Sequence, residues 1–304
     1  ARPNTEADQC GQVKSSGTAI TGDRCAQNFS CELQNYLDMY SIRFIMLLAI
    51  VGLAISCVST DEKKGSKPSQ QWQSLFNGQD LEGWVAKINH HELGDNYANT
   101  FRVKDGKIQV NYNAYEAFNE RFGLLYYREP FSSYHLKLEY RFTDQWREDA
   151  PSFAYRNSGV MFHSQDPQTI RKDQDWPIAI EYQILAEEKK GTPRPTGNVC
   201  TPGTEIYYQG EKYTDHCLNS SSQTYPPGQW VSAELIVHRD SVIRHVINGD
   251  TVLRYTRPQM GGGVVTGFDP SVKIDGKPLT GGYIALQSEG HGIEFRNIQI
   301  RELD

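Results

Sequence analysis

Hydrophobic and polar positions alternate along much of this chain. From residue 135 to 142, Leu136, Leu138, Tyr140 and Phe142 alternate with His135, Lys137, Glu139 and Arg141. Successive side chains of a strand point to opposite faces, so a period of two marks a half-buried strand. The same pattern predicts strands at 123–127, 230–238, 283–287 and 293–300, and hairpins over 101–110 and 242–255. Asp105-Gly106 and Asn248-Gly249 mark the two hairpin turns, because these residue types accept positive φ.

Two apolar runs organise the rest. Residues 157–163 read NSGVMFH, and residues 176–185 read WPIAIEYQIL. Read as a strand, the second run puts Ile178, Ile180, Tyr182 and Ile184 on one face and Ala179, Glu181, Gln183 and Leu185 on the other. In the first, Val160 and Phe162 share one face, Met161 and His163 the other. One face of each run reads as core. The opposite face carries His163, Glu181 and Gln183 among apolar neighbours. Polar groups on an otherwise apolar face are the informative exception, and these three are expected to line a groove.

No stretch beyond residue 72 keeps a long helical period. Many short strands with turn signals imply an all-β fold, a two-sheet antiparallel jelly-roll sandwich with long ordered loops. An aromatic content of 11%, including 17 Tyr, suits that class. Residues 186–229 and 256–281 show little regular pattern. The first of these holds several Pro and Gly, both domain cysteines and His216, and is expected to form an ordered rim or lid over the groove. Gly261-Gly262-Gly263 is no phosphate loop, since no Lys-Ser/Thr follows it.

A net charge of −6 with no block of Lys and Arg argues against nucleic acid as a partner. The N-terminal part changes the picture more. Residues 44–55, FIMLLAIVGLAI, follow Arg43 and are too short for a transmembrane helix but fit the apolar region of a signal peptide. Leu53-Ala54-Ile55-Ser56-Cys57 resembles a bacterial lipobox, which implies cleavage before Cys57 and a lipid on that cysteine. The expected organisation is an upstream extension at 1–38 absent from the mature protein, a lipoprotein signal peptide at 39–56, a polar tether at 57–71 and one domain at 72–304. The expected location is the bacterial cell envelope, periplasmic or outer-membrane surface, with membrane contact through the lipid anchor only. Cys10, Cys25 and Cys31 then fall outside the mature protein. Cys200 and Cys217 could close a disulfide or remain as two buried thiols.

Four segments carry a family likeness: SLFNGQDLEGW, NSGVMFHS, IEYQIL and GGYIALQSEGHGIEFRNIQIREL. In this order they resemble the 3-keto-disaccharide hydrolase family, across 72–304. The resemblance implies a concanavalin-like sandwich and action on glycosides oxidised at C3. Laminarinase-type relatives of that fold carry Glu, Asp and Glu on one strand face, whereas the comparable strand here offers Glu181, Gln183 and Leu185. A retaining glycosidase needs two carboxyls about 5 Å apart, and this strand supplies one.

One carboxylate with a histidine suits another chemistry. A ketone at C3 makes the C2 hydrogen acidic; a base removes it, the C1 substituent leaves, and water then adds. Glu181 and His163 are the candidate catalytic residues. They are also the candidates to hold a divalent metal ion, which could serve as electrophile. Gln183, Gln287, His216, Trp176, Glu289 and His291 are candidate substrate contacts, the set 287/289/291 sharing a face if the strand runs on through Gly290. His216 beside Cys217 lacks zinc spacing. His135, His238 and His245 read as structural. Two other classes remain open on a carbohydrate partner: a glycan-binding lipoprotein without turnover, and a conventional endo-glycosidase.

Overall fold

The computed structural model describes residues 71–304. The expected extension, signal peptide and lipidated Cys57, with nearly all of the tether, lie outside the described residues. β1 (Gln73–Ser74), β2 (Trp84–Ile88), β3 (Phe101–Lys104), β4 (Lys107–Val110), β5 (Gly123–Tyr127) and β6 (Ser133–Trp146) open the domain. β7 (Asn157–Ser164) and β8 (Ile180–Leu185) follow. β9 (Asn198–Cys200), β10 (Thr204–Tyr208), β11 (Glu211–Tyr213) and β12 (Cys217–Leu218) are short. β13 (Val231–His238), β14 (Val242–Ile247), β15 (Asp250–Met260), β16 (Tyr283–Ser288) and β17 (His291–Glu302) close it.

The strands form two antiparallel sheets that pack as a jelly-roll sandwich. The larger runs β11-β10-β15-β14-β13-β6-β17-β4-β3, with β1 beside β17; the smaller runs β12-β9-β8-β7-β16-β5-β2. Both predicted hairpin turns occur, with φ of 50° and 72° at Asp105-Gly106 and 49° and 92° at Asn248-Gly249. Alternation decides which faces meet. Leu136, Leu138, Tyr140 and Phe142 of β6 join Val160, Phe162, Ile180, Tyr182 and Ile184 of the smaller sheet in one core. Each fully buried side chain of this kind contributes about 1.5–3 kcal/mol. Tyr182, buried in that core, satisfies its hydroxyl by donating to the Val246 carbonyl at 3.0 Å.

The predicted strand at 176–185 begins only at Ile180. Pro177 has no N–H to give a ladder. The segment 186–229 also differs from a lid. It supplies β9 and β12 to one edge of the smaller sheet and β10 and β11 to one edge of the larger. Strands of two to five residues are too short to show a period.

The strand through Gly290 does not run on. β16 belongs to the smaller sheet and β17 to the larger, and Glu289-Gly290 carries the chain between them. Gly290 takes φ +109°, a region that glycine reaches without a Cβ penalty.

Candidate active site

The outer face of the smaller sheet carries two rows of side chains. Pairing sets one row across the strands: Tyr126, Ala285, Met161, Glu181, Cys200 and Cys217. The adjoining row contains Gly159, Gln183 and Asn198, and the β16–β7 register continues it to Gln287. Leu124, Tyr126, Met161, Ala179 and Ala285 fill one part of the face as a separate apolar cluster. The rest forms a cavity of about 410 Å³. Asn157, Glu181, Gln183 and Glu289 bring polar atoms to its wall. Cys200, Cys217, His216 and Arg194 close one side, and Phe153, Trp176, Leu185, Pro202 and Val264 supply apolar surface.

Glu181 and Glu289 are 7% and 3% exposed. Burial pushes the Glu181 carboxyl well above its ordinary value. Burial does the same to Glu289, and the neighbouring Glu181 charge adds to it. Among the described residues, neither carboxylate has a Lys, Arg or His at ion-pair distance. Arg194 shares the cavity wall, and its charge partly offsets the rise of Glu289. Its Nη1 instead donates to the carbonyls of Tyr155, Arg156 and Ala186 at 2.9, 3.2 and 3.0 Å. Gln183 is oriented by Asn198, whose Nδ2 donates to Gln183 Oε1 at 3.0 Å and so turns Gln183 Nε2 toward the cavity. Asn198 is fixed in turn by the Ser220 N–H, which donates to its Oδ1 at 2.9 Å.

His163 does not share this cavity. Its φ is +44°, and the β16–β7 register shifts between the Tyr283–Ser164 and Ala285–Met161 pairs. This bulge ends the alternation and re-aims the side chain. His163 Nε2 lies 3.1 Å from the carbonyl of Arg239, in the β13–β14 turn of the other sheet. Burial lowers its pKa to about 4, so the ring is neutral at physiological pH. His163 and Glu181 are therefore not placed to hold one metal ion.

His291 is also set apart, because it follows the crossover. Its Nε2 meets the Thr143 carbonyl at 3.0 Å, and its ring packs on Trp146, Tyr155 and Phe142. Gln287 is fully buried, with its Oε1 over Gly159, and donates through Nε2 to Glu289 Oε1 at 3.0 Å. His216 is on the cavity rim, where burial lowers its pKa. Its ring and the sulfurs of Cys200 and Cys217 lie within 4.8 Å of one another. The two sulfurs are joined in a disulfide, and zinc takes thiolates, so this trio does not suit a metal in the oxidised protein.

Trp176 stands at the mouth with two rings beyond it. Phe122 is 4.8 Å from Trp176 and stacks on Phe153 at 6.1 Å. Phe153 and Val264 are large apolar side chains more than half exposed, both on the cavity. Sequence reasoning missed Phe153, Val264, Arg194 and Asn157 as lining residues. Val264 and Arg194 sit in loops without period, and Phe153 in a single 3-10 turn, Ser152–Ala154, too short to show one. Asn157 was within reach, since alternation from Met161 back through Gly159 puts it on the Glu181 face.

The family model for the 3-keto-alpha-glucoside-1,2-lyase-like domain matches residues 71–301. Among solved structures, two candidate glycosyl hydrolases from Parabacteroides distasonis are similar. One is 22% identical with a TM-score of 0.48, over 77% of this chain and 94% of that chain. The other is 20% identical with a TM-score of 0.46, over 77% of this chain and 100% of that chain. A carbohydrate-binding module from Bacillus subtilis is 9% identical with a TM-score of 0.40, covering 72% and 96%. Comparison with curated proteins gives no match.

Proposed function

We propose that this chain, which belongs to the 3-keto-alpha-glucoside-1,2-lyase-like family, cleaves glycosides already oxidised at C3 by eliminating the C1 substituent. The observation that carries the reading is Glu181, a carboxyl without a cationic partner among the described residues, on the wall of a cavity inside the family's matched segment.

Glu181 takes the proton from C2, and the electrons of that bond pass to the C3 oxygen as an enolate. Gln183 Nε2, turned to the cavity by Asn198, donates to that oxygen. The C3 carbonyl re-forms as a C1–C2 double bond appears and the C1–O bond breaks. The proton held on Glu181 passes to the departing oxygen, so one carboxyl serves both steps. Water then adds across the double bond, its oxygen to C1 and its hydrogen to C2, for net hydrolysis. Trp176 and Phe153 at the mouth offer aromatic faces to the leaving group.

The test is NMR product analysis in D₂O with a 3-keto-glucoside. Aglycone release with deuterium at C2, lost in Glu181→Gln, is the expected result. Release with the original C2 hydrogen retained as protium would sink elimination. Saturable binding with no turnover would leave a glycan-binding protein. A second reading, conventional glycosidase action, draws support from Glu289, which gives the cavity the second carboxyl that the Glu181 strand lacks. Hydrolysis of the unoxidised glucoside at a comparable rate would favour it. The lipobox-like segment before Cys57 supports action at the bacterial cell envelope.

A further inference from the structure

Asn157 Oδ1, Glu181 Oε1, Gln287 Oε1 and Glu289 Oε2 are buried oxygens without a hydrogen-bond partner. The four side chains are at most 7% exposed. They belong to one place. Asn157, Glu181 and Glu289 line the cavity together, and Gln287 donates to Glu289 Oε1, which leaves Gln287 Oε1 and Glu289 Oε2 as the free atoms of that pair. Gly159 sits in their midst. A Cβ on it would lie 2.6 Å from Glu181 Oε1 and 3.0 Å from Gln287 Oε1. Its φ is not positive, so the backbone does not require glycine there. The missing side chain keeps the space between the two oxygens open.

A buried acceptor needs a donor or a cation, and a buried carboxylate needs one most. Here Glu181 Oε1 and Gln287 Oε1 lie within 3.0 Å of one point above Gly159, and Asn157 and Glu289 belong to the wall of the adjoining cavity, with no donor to the four oxygens supplied by the described residues. An all-oxygen set of carboxylates and amide carbonyls matches the preference of hard divalent ions such as Ca²⁺, Mg²⁺ or Mn²⁺, and not of thiolate- or imidazole-seeking metals. We propose that Asn157, Glu181, Gln287 and Glu289 form a binding site for a hard divalent cation in the floor of the cavity. This set differs from the expected pair of Glu181 and His163, and it shares only Glu181 with the elimination chemistry. The cation site stands or falls separately from that reaction, because binding is measurable in a protein that turns over nothing. The competing account is two protonated carboxyls donating to the amide oxygens.

The experiment titrates chelator-stripped full-length protein with Mn²⁺, reading free Mn²⁺ by electron paramagnetic resonance, with Ca²⁺ and Mg²⁺ as competitors. One bound equivalent is expected, with a Kd of about 1 mM or tighter. Glu289→Gln should weaken it by about tenfold or more, and so should Gly159→Ala, which removes no ligand but fills the space. Gln287→Glu should tighten it, and replaces either of the others in the comparison should that variant fail to fold by circular dichroism. Absence of binding to the folded wild-type protein at about ten times that concentration overturns the site and favours the shared protons. Binding that survives Glu289→Gln and Gly159→Ala unchanged overturns it as well.

Discussion

Gln183 shows how one amide is set for work. Its oxygen is occupied by Asn198 and its nitrogen is left toward the cavity. If that nitrogen meets the enolate oxygen, Gln183→Ala should lower kcat on a 3-keto-glucoside by about a hundredfold, the usual loss for one such donor. Asn198→Ala, which only frees the amide to turn, should cost less and act on kcat more than on KM. Steady-state kinetics of the two variants would decide. His163 makes the opposite case. It lies against Arg239 and Phe162, so His163→Gln should leave kcat at the wild-type level while lowering stability by about 1–3 kcal/mol in denaturant unfolding. A large fall in kcat with unchanged stability would return His163 to the site. Alternation made Glu181 and Gln183 legible in the sequence, because nothing interrupts β8. It failed two strand positions past Met161, where a non-glycine residue takes positive φ. No sequence pattern announces such a bulge.

At the level of elements, the edge of the smaller sheet is tied to the site. β12 pairs with β9 at Cys217 and Cys200, and the disulfide joins those same residues beside Glu181. The sequence left the pair open between bridge and thiols; the pairing of two short strands decides it. Replacing both cysteines by Ser should cost about 3 kcal/mol in the chain-entropy account of a loop this size, read by urea unfolding. The core histidines make a second prediction at this scale. His245 bridges the Gly197 carbonyl and the Tyr255 hydroxyl, fully buried, and burial lowers its pKa to about 3; His163 is lowered to about 4. Both fall below the unfolded value near 6.5, so the unfolded chain binds more protons in between. Their contribution should be level above about pH 6.5 and be lost as pH drops through 6 and 5 toward the folded values, by about 3 kcal/mol or more per histidine at full extent, against the opposite slope of the raised Glu181 and Glu289 carboxyls, whose protons the unfolded chain releases as pH rises past about 4.5. The difference in urea-unfolding free energy between wild type and His245→Phe, in which the carboxyl contribution cancels, should show it by moving against the wild type as pH falls across that range. β9 to β12 were not legible because strands so short carry no period, and the β16–β17 crossover was hidden because Gly290 could equally mark a turn within one sheet.

Across the whole molecule, the sandwich and the lipobox-like segment are separate stretches of sequence. Every residue on the cavity comes from 153–289, within the segment the family model spans. The fold class was legible from the strands outside 186–229 and 256–281, because two-residue alternation and two Asp/Asn-Gly turns are local signals that survive any loop arrangement. What was not legible is how loops remote in sequence, such as those of Phe153, Arg194 and Val264, meet at one mouth. The lipobox-like segment, in contrast, bears only on address. If Cys57 carries a lipid, Cys57→Ala expressed in a Gram-negative host should move the protein from the membrane fraction to the soluble fraction. Its kcat should not change, since no cavity residue lies near Cys57 in sequence and the carboxyls, amides and disulfide are all in the sandwich. Fractionation with a radiolabelled fatty acid checks the first half and kinetics the second. A variant that stays in the membrane fraction would mean that something other than a lipid on Cys57 holds the protein there, and would remove the ground for placing its reaction at the cell envelope.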